Sequence, residues 1–458
     1  MKKNYLLGMA LIASLSFNSC TKEIVYVQDG TESIAEDVQQ ITLQVENGGD
    51  SQKSRAGRPM YGAEAKQDIQ TVKLWICSSD KKVVYVKDIS NWNTEGSTAY
   101  TTGGHGRQTT IKLEGEDKLG PGAYTVYAVG YSTTSDYTLD AVTGVAKGNT
   151  FSENMVLPIK AEAENKIGEE IFAGAVSLTI SEKGAGSATT VLNRQVAGTF
   201  AYVKDIPYFQ NAKYLKLVAS AQNQDLVLGN FNSFNLTGNG TGNEANVKYV
   251  VNGTNGKSGS ETYVISEIDL TKWFKAIKDS NGDGLIDLFT GETEQEGTKY
   301  ANWTNPYSAD DNHPTFQKGS VFGGEFVIPF AHVDSKNTLT LQLTDNSGEA
   351  LSTWTVKLPT ADPQLSQTIT CWNSVSTDWS TEVTGESEKI YSLVRNHLYG
   401  IGTRMNDQVD PENPDKDPDP TDPGTDPDKD KPESLLGSQE LVLQVNDNWE
   451  VIHGMELE

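Results

Sequence analysis

Ile41-Thr42-Leu43-Gln44-Val45-Glu46-Asn47 stands near the start of this 458-residue chain, and Leu441-Val442-Leu443-Gln444-Val445-Asn446-Asp447 near its end. Leu, Gln and Val recur at the centre of both stretches, and the flanking residues match in type. Each stretch alternates apolar and polar residues, so positions 41, 43 and 45, like 441, 443 and 445, fall on one face of a strand. A strand and its copy fit the same groove. If the first copy were removed, the second copy of a neighbouring molecule would fill its place and join subunits head to tail.

The surroundings of the second copy suit a segment that reaches outward. Residues 405–434 form a linker in which 411–432 is a run of Asp, Pro, Lys and Thr, a composition that buries no apolar surface. Proline holds such a run extended at roughly 3 Å per residue. Beyond it, Leu441, Leu443, Val445, Trp449 and Val451 share one parity, which His453, Met455 and Leu457 continue. The tail 435–458 therefore reads as a long amphipathic donor segment that needs a receiving groove.

The first copy is followed by residues 48–59, polar and Gly-rich, with no periodic apolar residue. Such a loop is exposed to proteases. Arg55 and Arg58 both lie in it, and Pro59 makes the bond after Arg58 a poor cleavage site. Cleavage between Arg55 and Ala56 would release residues 21–55, a propeptide that includes the first copy. Residues 1–20 read as an export signal: Lys2 and Lys3, an apolar middle from 6 to 17, then Ser19-Cys20. The Cys after a small residue resembles a lipoprotein junction, with Cys20 lipidated and the precursor held in the outer membrane by several acyl chains.

Between the two copies the chain reads as all-β. Thr, Ser, Asn and Gly are abundant, alternating runs are many and helix-period runs few. Strands are expected over 69–77, 82–87, 109–113, 123–132 and 172–180, then over 195–203, 214–219, 324–330, 338–344, 351–358 and 390–400. Residues 134–168 suggest a loop with a short helix, and 228–260 long surface loops. The Gly- and Ser-rich stretch 183–188 divides two units, 56–188 and 189–404. The strand order is alike, with 41–45 preceding 69–77 as 196–203 precedes 214–219, which suggests two related β-sandwich domains in tandem.

The order of features resembles the fimbrillins, the polymerising subunits of the type V pili of Bacteroidales, and among them the shaft subunits of the minor, short fimbriae. The resemblance rests on Ser19-Cys20-Thr21-Lys22-Glu23, Ser54-Arg55-Ala56-Gly57 after a strand, Leu192-Asn193-Arg194-Gln195-Val196-Ala197, Arg395-Asn396-His397-Leu398-Tyr399, and Trp449-Glu450-Val451 before Glu456-Leu457. It covers most of the chain, and its order persuades more than any one motif. It implies two tandem transthyretin-like β-sandwich domains with a cleavable N-terminal strand and a C-terminal donor strand. It also implies lipoprotein export, cleavage by an arginine-specific protease after Arg55, and a homopolymer of identical subunits with accessory tip and anchor subunits. Adhesion and biofilm formation follow from the resemblance alone. The loose Phe17-Asn18-Ser19 junction and the segment 279–292 depart from the family pattern.

That segment holds the one chemical motif. Asp279-Ser280-Asn281-Gly282-Asp283-Gly284-Leu285-Ile286-Asp287 fits the calcium-loop pattern D-x-N-x-D-G. Asp279, Asn281, Asp283, the Leu285 carbonyl and Asp287 would be the ligands, and residues 270–278 a preceding short helix. Thr290 stands where a bidentate carboxylate belongs. A calcium ion here would stiffen a surface loop; the alternative is an Asp/Gly turn without metal.

No motif for an enzyme is present: there is no nucleophile elbow, no zinc-protease helix and no phosphate loop. The formal net charge of −25 argues against nucleic acid, which needs clustered Lys and Arg. Cys77 and Cys371 lie in apolar strands as buried thiols or, geometry permitting, a disulfide pair. The aromatic groups Trp273-Phe274 and 300–303 would line a sugar site or pack in a core. The rival to a polymer subunit is a monomeric surface lipoprotein that binds glycan, with the Asp/Pro run as its stalk. A stalk belongs between Cys20 and the first domain, whereas the long spacer here precedes the last strand.

Overall fold

The protein is described by a computed structural model over residues 24–26, 32–34, 37–46, 69–100, 106–160, 169–229, 248–254, 257–293, 295, 297–307, 316–330, 339–357, 367–384, 393–396, 398–402, 432–436, 440–442 and 444–446. It is all-β.

Eight strands make the first unit: β1 Gln39–Glu46, β2 Thr71–Ser78, β3 Val83–Ser90, β4 Thr98–Tyr100, β5 Gly106–Lys112, β6 Gly122–Tyr131, β7 Ile171–Ile180 and β8 Gly186–Arg194. They run in the order β3-β2-β6-β7-β8-β1-β5-β4. β7 and β8 pair only through Phe172 with Arg194 and Ala173 with Asn193. At this corner the sheet folds over, so β3-β2-β6-β7 faces β8-β1-β5-β4. Ile41, Leu43, Leu74, Ile76, Val126, Phe172 and Leu192 meet in the core between them.

The second unit uses β9 Ala197–Lys204, β10 Tyr214–Gln222, β11 Lys257–Asp269, β12 Val321–Val327, β13 Leu339–Thr344, β14 Ala350–Lys357, β15 Leu398–Ile401, β16 Glu433–Ser434, β17 Glu440–Val442 and β18 Gln444–Asn446. One layer runs β12-β9-β15-β18, with β16 also on β9, and the other runs β11-β10-β13-β14-β17. The opening strands of the two units have like neighbours. β1 is parallel to β8 and antiparallel to β5, and β9 is parallel to β15 and antiparallel to β12. Gly400 in β15 is required by close approach, since a Cβ there would stand 2.0 Å from the Phe200 ring.

The units share apolar surface. β2 is buried along both faces: Leu74 and Ile76 enter the first core, Trp75 and Cys77 a larger one that includes Phe200, Tyr202 and Leu217. This explains why β2 reads as a continuous apolar run rather than an alternation. A short strand at Val156–Pro158 also pairs with Asp225–Val227 of the second unit.

Several expectations are corrected. The stretch 183–188 is not a boundary: it makes the turn into β8, which pairs along its length with β1. The division at 188–189 therefore falls inside a strand of the first unit. Within 228–260, strands form at Lys248–Val251 and Gly253–Thr254, and β11 begins at Lys257. Among the described residues of the expected strand 390–400, Leu393 bridges Phe330 and β15 begins at Leu398. The helix at 270–278 is a 3-10 turn, Leu270–Lys272. Beyond it, Asn302 Oδ1 accepts from the Ala276 amide at 3.0 Å and the Asn302 carbonyl from the Lys275 amide at 2.9 Å. A hairpin of Gln367–Asn373 with Asp378–Thr384 adds to the expected strands. Within the stretch read as a propeptide, Ile24–Tyr26 pairs with Glu32–Ile34. Among the described residues of 134–168 the expected helix is one turn, Asp140–Thr143.

Candidate functional site

The first copied strand, β1, lies inside its layer rather than at an edge. It pairs at seven positions with β8 and at seven with β5. Ile41, Leu43 and Val45 are fully buried in the first core. Burying three such side chains stabilises by about 5–9 kcal/mol on transfer values.

Polar side chains fix its position. Gln39 is 3 % exposed; its Nε2 donates to the carbonyls of Leu119 and Gly184 at 2.8 and 3.0 Å, and its Oε1 accepts from the Leu119 amide at 2.8 Å. Just before it, Asp37 has φ +73° and pairs with Lys118 at 2.5 Å. On the outer face the hydroxyls of Thr42 and Thr110 are 3.0 Å apart, and Gln44 Nε2 donates to Gln108 Oε1 at 3.0 Å.

The wall formed by β5 has support of its own. The Arg107 guanidinium donates to the carbonyls of Trp92, Thr94 and Ser97 and to the Ser97 hydroxyl. These contacts do not involve β1, so its removal would leave a slot with a braced side.

The second copy pairs within its own chain, though not beside β1. β17 lies parallel to β14 through three residue pairs, and β18 lies antiparallel to β15 through three. Leu441 and Val445 are thus on two different layers of the second unit. The root of the tail is held more firmly: Leu435 is buried and donates to the Lys204 carbonyl at 3.0 Å, and Ser434 Oγ donates to Asp205 at 2.6 Å. Cys20, Arg55, Ala56, Leu443, Trp449 and Val451 lie outside the described residues.

The 279–287 loop has the turn that its sequence predicts, with Gly282 and Gly284 at φ +74° and +83°. Its carboxylates cap the loop's own amides. Asp279 accepts from Gly282 and Gly284 at 2.7 and 3.0 Å, Asp283 from Leu285 at 2.8 Å, and Asp287 Oδ2 from Ser280 at 2.9 Å. Asn281 donates to Asp283 at 2.8 Å. Among the described residues no three His, Cys, Asp or Glu side chains are grouped to hold a metal. Asp287 Oδ1, however, is buried without a hydrogen-bond partner. Lys278 was missed by the sequence reading: its Nζ is 3.5 Å from Asp287 and donates to the carbonyls of Thr290 and Gly291 at 3.0 Å each. The position that lacks a carboxylate thus presents its backbone to an ammonium.

The aromatic candidates pack. Trp273 and Phe274 are buried, and Trp273 meets Phe316 edge-on at 5.1 Å. Trp303 donates to the Ser320 carbonyl at 2.7 Å. Cys77 and Cys371 are both thiols, the first buried and the second half-buried. Burial, with Glu153 nearby, pushes the Cys77 thiol up to about 12.

No protein-family profile and no curated protein matches the chain. Solved structures are similar to it at low identity. The fimbrial anchor protein Mfa2 from Porphyromonas gingivalis is 12 % identical over 78 % of this chain and 100 % of its own, with a TM-score of 0.29. The tip fimbrial protein Mfa3 from the same organism, with a C-terminal truncation, is 9 % identical over 81 % and 97 %, with a TM-score of 0.33. A fimbrial assembly protein from Parabacteroides distasonis is 10 % identical over 78 % and 98 %, with a TM-score of 0.28.

The alternation over 41–45 does not point to Gln39. Extending the comparison of the two ends upstream of residue 41 is the signal that finds it. Leu119 and Gly184 act through backbone groups, which no side-chain motif reveals.

Proposed function

We propose that this chain is a structural subunit of a cell-surface fimbria, a pilus shaft component. It is exported as an outer-membrane lipoprotein precursor through Cys20. An arginine-specific protease cuts between Arg55 and Ala56, and β1 leaves its slot. The tail of another subunit then fills that slot, so that identical subunits join head to tail, with tip and anchor subunits at the ends. Adhesion and biofilm formation are the roles such a fibre serves.

The observation that carries this reading is the interior place of β1. Withdrawing an edge strand would only shorten a sheet. Withdrawing β1 bares two rows of backbone groups and an apolar channel at once, an arrangement that demands refilling. The balance of pairing favours exchange. Among the described residues the tail has three pairs on β14 and three on β15, and β1 has seven with β8 and seven with β5.

A calcium ion held by Asp279, Asn281, Asp283, the Leu285 carbonyl and Asp287 is part of the proposal, supported by the loop pattern and by the unpartnered Asp287 Oδ1. Its role would be to stiffen the loop, whose Gly284 carbonyl and Ile286 amide bond to Tyr208 and Ile206.

N-terminal sequencing of protein sheared from cells tests the scheme, with Ala56 the expected first residue. Arg55→Ala should leave a folded monomer and no polymer ladder. A ladder from that variant would sink the proposal.

A further inference from the structure

The likeness of the two ends extends beyond the seven residues first compared. With each residue of β1 set against the one 400 positions later, Gln39 falls on Gln439, and Leu43, Gln44 and Val45 on identical residues. Asp37 falls on Gly437. Each match meets a structural demand of the slot.

Gln39 is the buried member. It satisfies the Leu119 amide and the carbonyls of Leu119 and Gly184, all within 3.0 Å. A side chain without both a donor and an acceptor would leave those groups stranded in the interior. At Asp37 the backbone is left-handed, φ +73°, a conformation that glycine adopts without strain. Gln44 reaches Gln108 at 3.0 Å, and Gln444 repeats its amide.

Alternation alone does not set the register of an incoming strand. A slip of one residue turns the apolar face outward, but a slip of two preserves it. Only a residue with a unique receptor distinguishes the frames.

We propose that Gln439 is the register key by which a second copy of this chain docks between β8 and β5. Its amide enters the Leu119–Gly184 clamp that Gln39 vacates. Gln444 then meets Gln108, and Leu441, Leu443 and Val445 take the places of Ile41, Leu43 and Val45. This rests on the strand-exchange reading above and adds to it one frame and the residue that selects it.

The test uses full-length subunits trimmed by an arginine-specific protease, in a Cys371→Ser background. Subunits with Val442→Cys are mixed with subunits carrying Thr110→Cys, Gln108→Cys or Lys112→Cys, and oxidised. Thr42 opposes Thr110 in β1, so an intersubunit disulfide is expected with position 110 and about tenfold less with 108 or 112. Gln439→Ala should slow polymer growth by about tenfold or more. Gln39→Ala, whose residue is discarded on cleavage, should leave growth unchanged. Crosslinking that favours 108 or 112 overturns the frame. Wild-type growth by Gln439→Ala overturns the key while leaving strand exchange standing. Absence of polymer from the trimmed parent protein removes both.

Discussion

The guanidinium of Arg194 grips one carboxylate oxygen of Glu170 through two nitrogens, at 2.7 and 2.9 Å, with the side chains 3 % and 1 % exposed. The pair sits at the corner where β8 leaves β7, and the Arg194 cation lies 4.9 Å over the Phe172 ring. β8 has two residue pairs with β7, and this ion pair adds to the bond from the Gln195 amide to the Ile171 carbonyl at 2.7 Å in tying the two strands at the corner.

Removing one member strands a buried charge. Glu170→Ala should lower stability by about 3–5 kcal/mol in urea denaturation, and the double change Glu170→Leu with Arg194→Leu by clearly less. If the single variant were as stable as the parent, the corner would be held by packing alone.

Leu43 is fully buried in β1. Leu43→Ala should destabilise the uncleaved precursor by about 2–5 kcal/mol. Polymer grown from cleaved Leu43→Ala protein should melt with the parent polymer, because residue 43 is no longer present. An equal loss in both forms would show that the cut strand stays in its slot.

Calcium added to chelator-treated protein should raise the melting temperature by a few degrees, since about 2.7 kcal/mol is contributed at a hundredfold excess over Kd. Asp283→Ala should abolish the shift. Lys278→Met should enlarge it, because the ammonium beside Asp287 is a built-in competitor. Calorimetric titration without heat and a melting temperature unmoved by calcium would remove the metal from the scheme.

Alkaline pH should act through buried acids. The Cys77 thiol is raised from 9.0 to about 12 by burial, then by Glu153. Burial likewise raises Tyr127 and Tyr137. A folded pKa above the unfolded one gives stability that is whole below pH 9 and is lost as pH rises toward 12. Denaturation at pH 7, 9 and 11 should show the decline, and Cys77→Ala should lessen it. At pH 8, iodoacetamide should modify Cys371 and spare Cys77 until the protein unfolds.

Strands with Val, Ile and Leu in period or in runs were legible in the sequence. β2, β6, β7 and β9 form close to their expected bounds. β8 was hidden because its inward residues include Ala188 and Thr190, small or polar side chains that carry no hydrophobic signal. β11 was hidden by its Ser- and Gly-rich start, and the 367–384 hairpin by a polar sequence whose stability includes the Trp372–Trp379 contact at 5.3 Å. The docking of β17 and β18 on their own unit was beyond reach, because parity says which face of a strand is apolar and not which sheet receives it. The calcium loop showed the reverse limit: its turn was readable, but the Lys278 ammonium comes to it from outside the motif.

The placing of β17 and β18 at the free margins of both layers has a bearing on life before assembly. Exposed margins invite indiscriminate stacking between molecules. In the intact chain the tail covers one margin of each layer, the outer sides of β14 and β15. On the proposed scheme, growth of a fibre would wait for a cut at the opposite end of the chain, and the timing of polymerisation would rest with a protease and not with protein concentration.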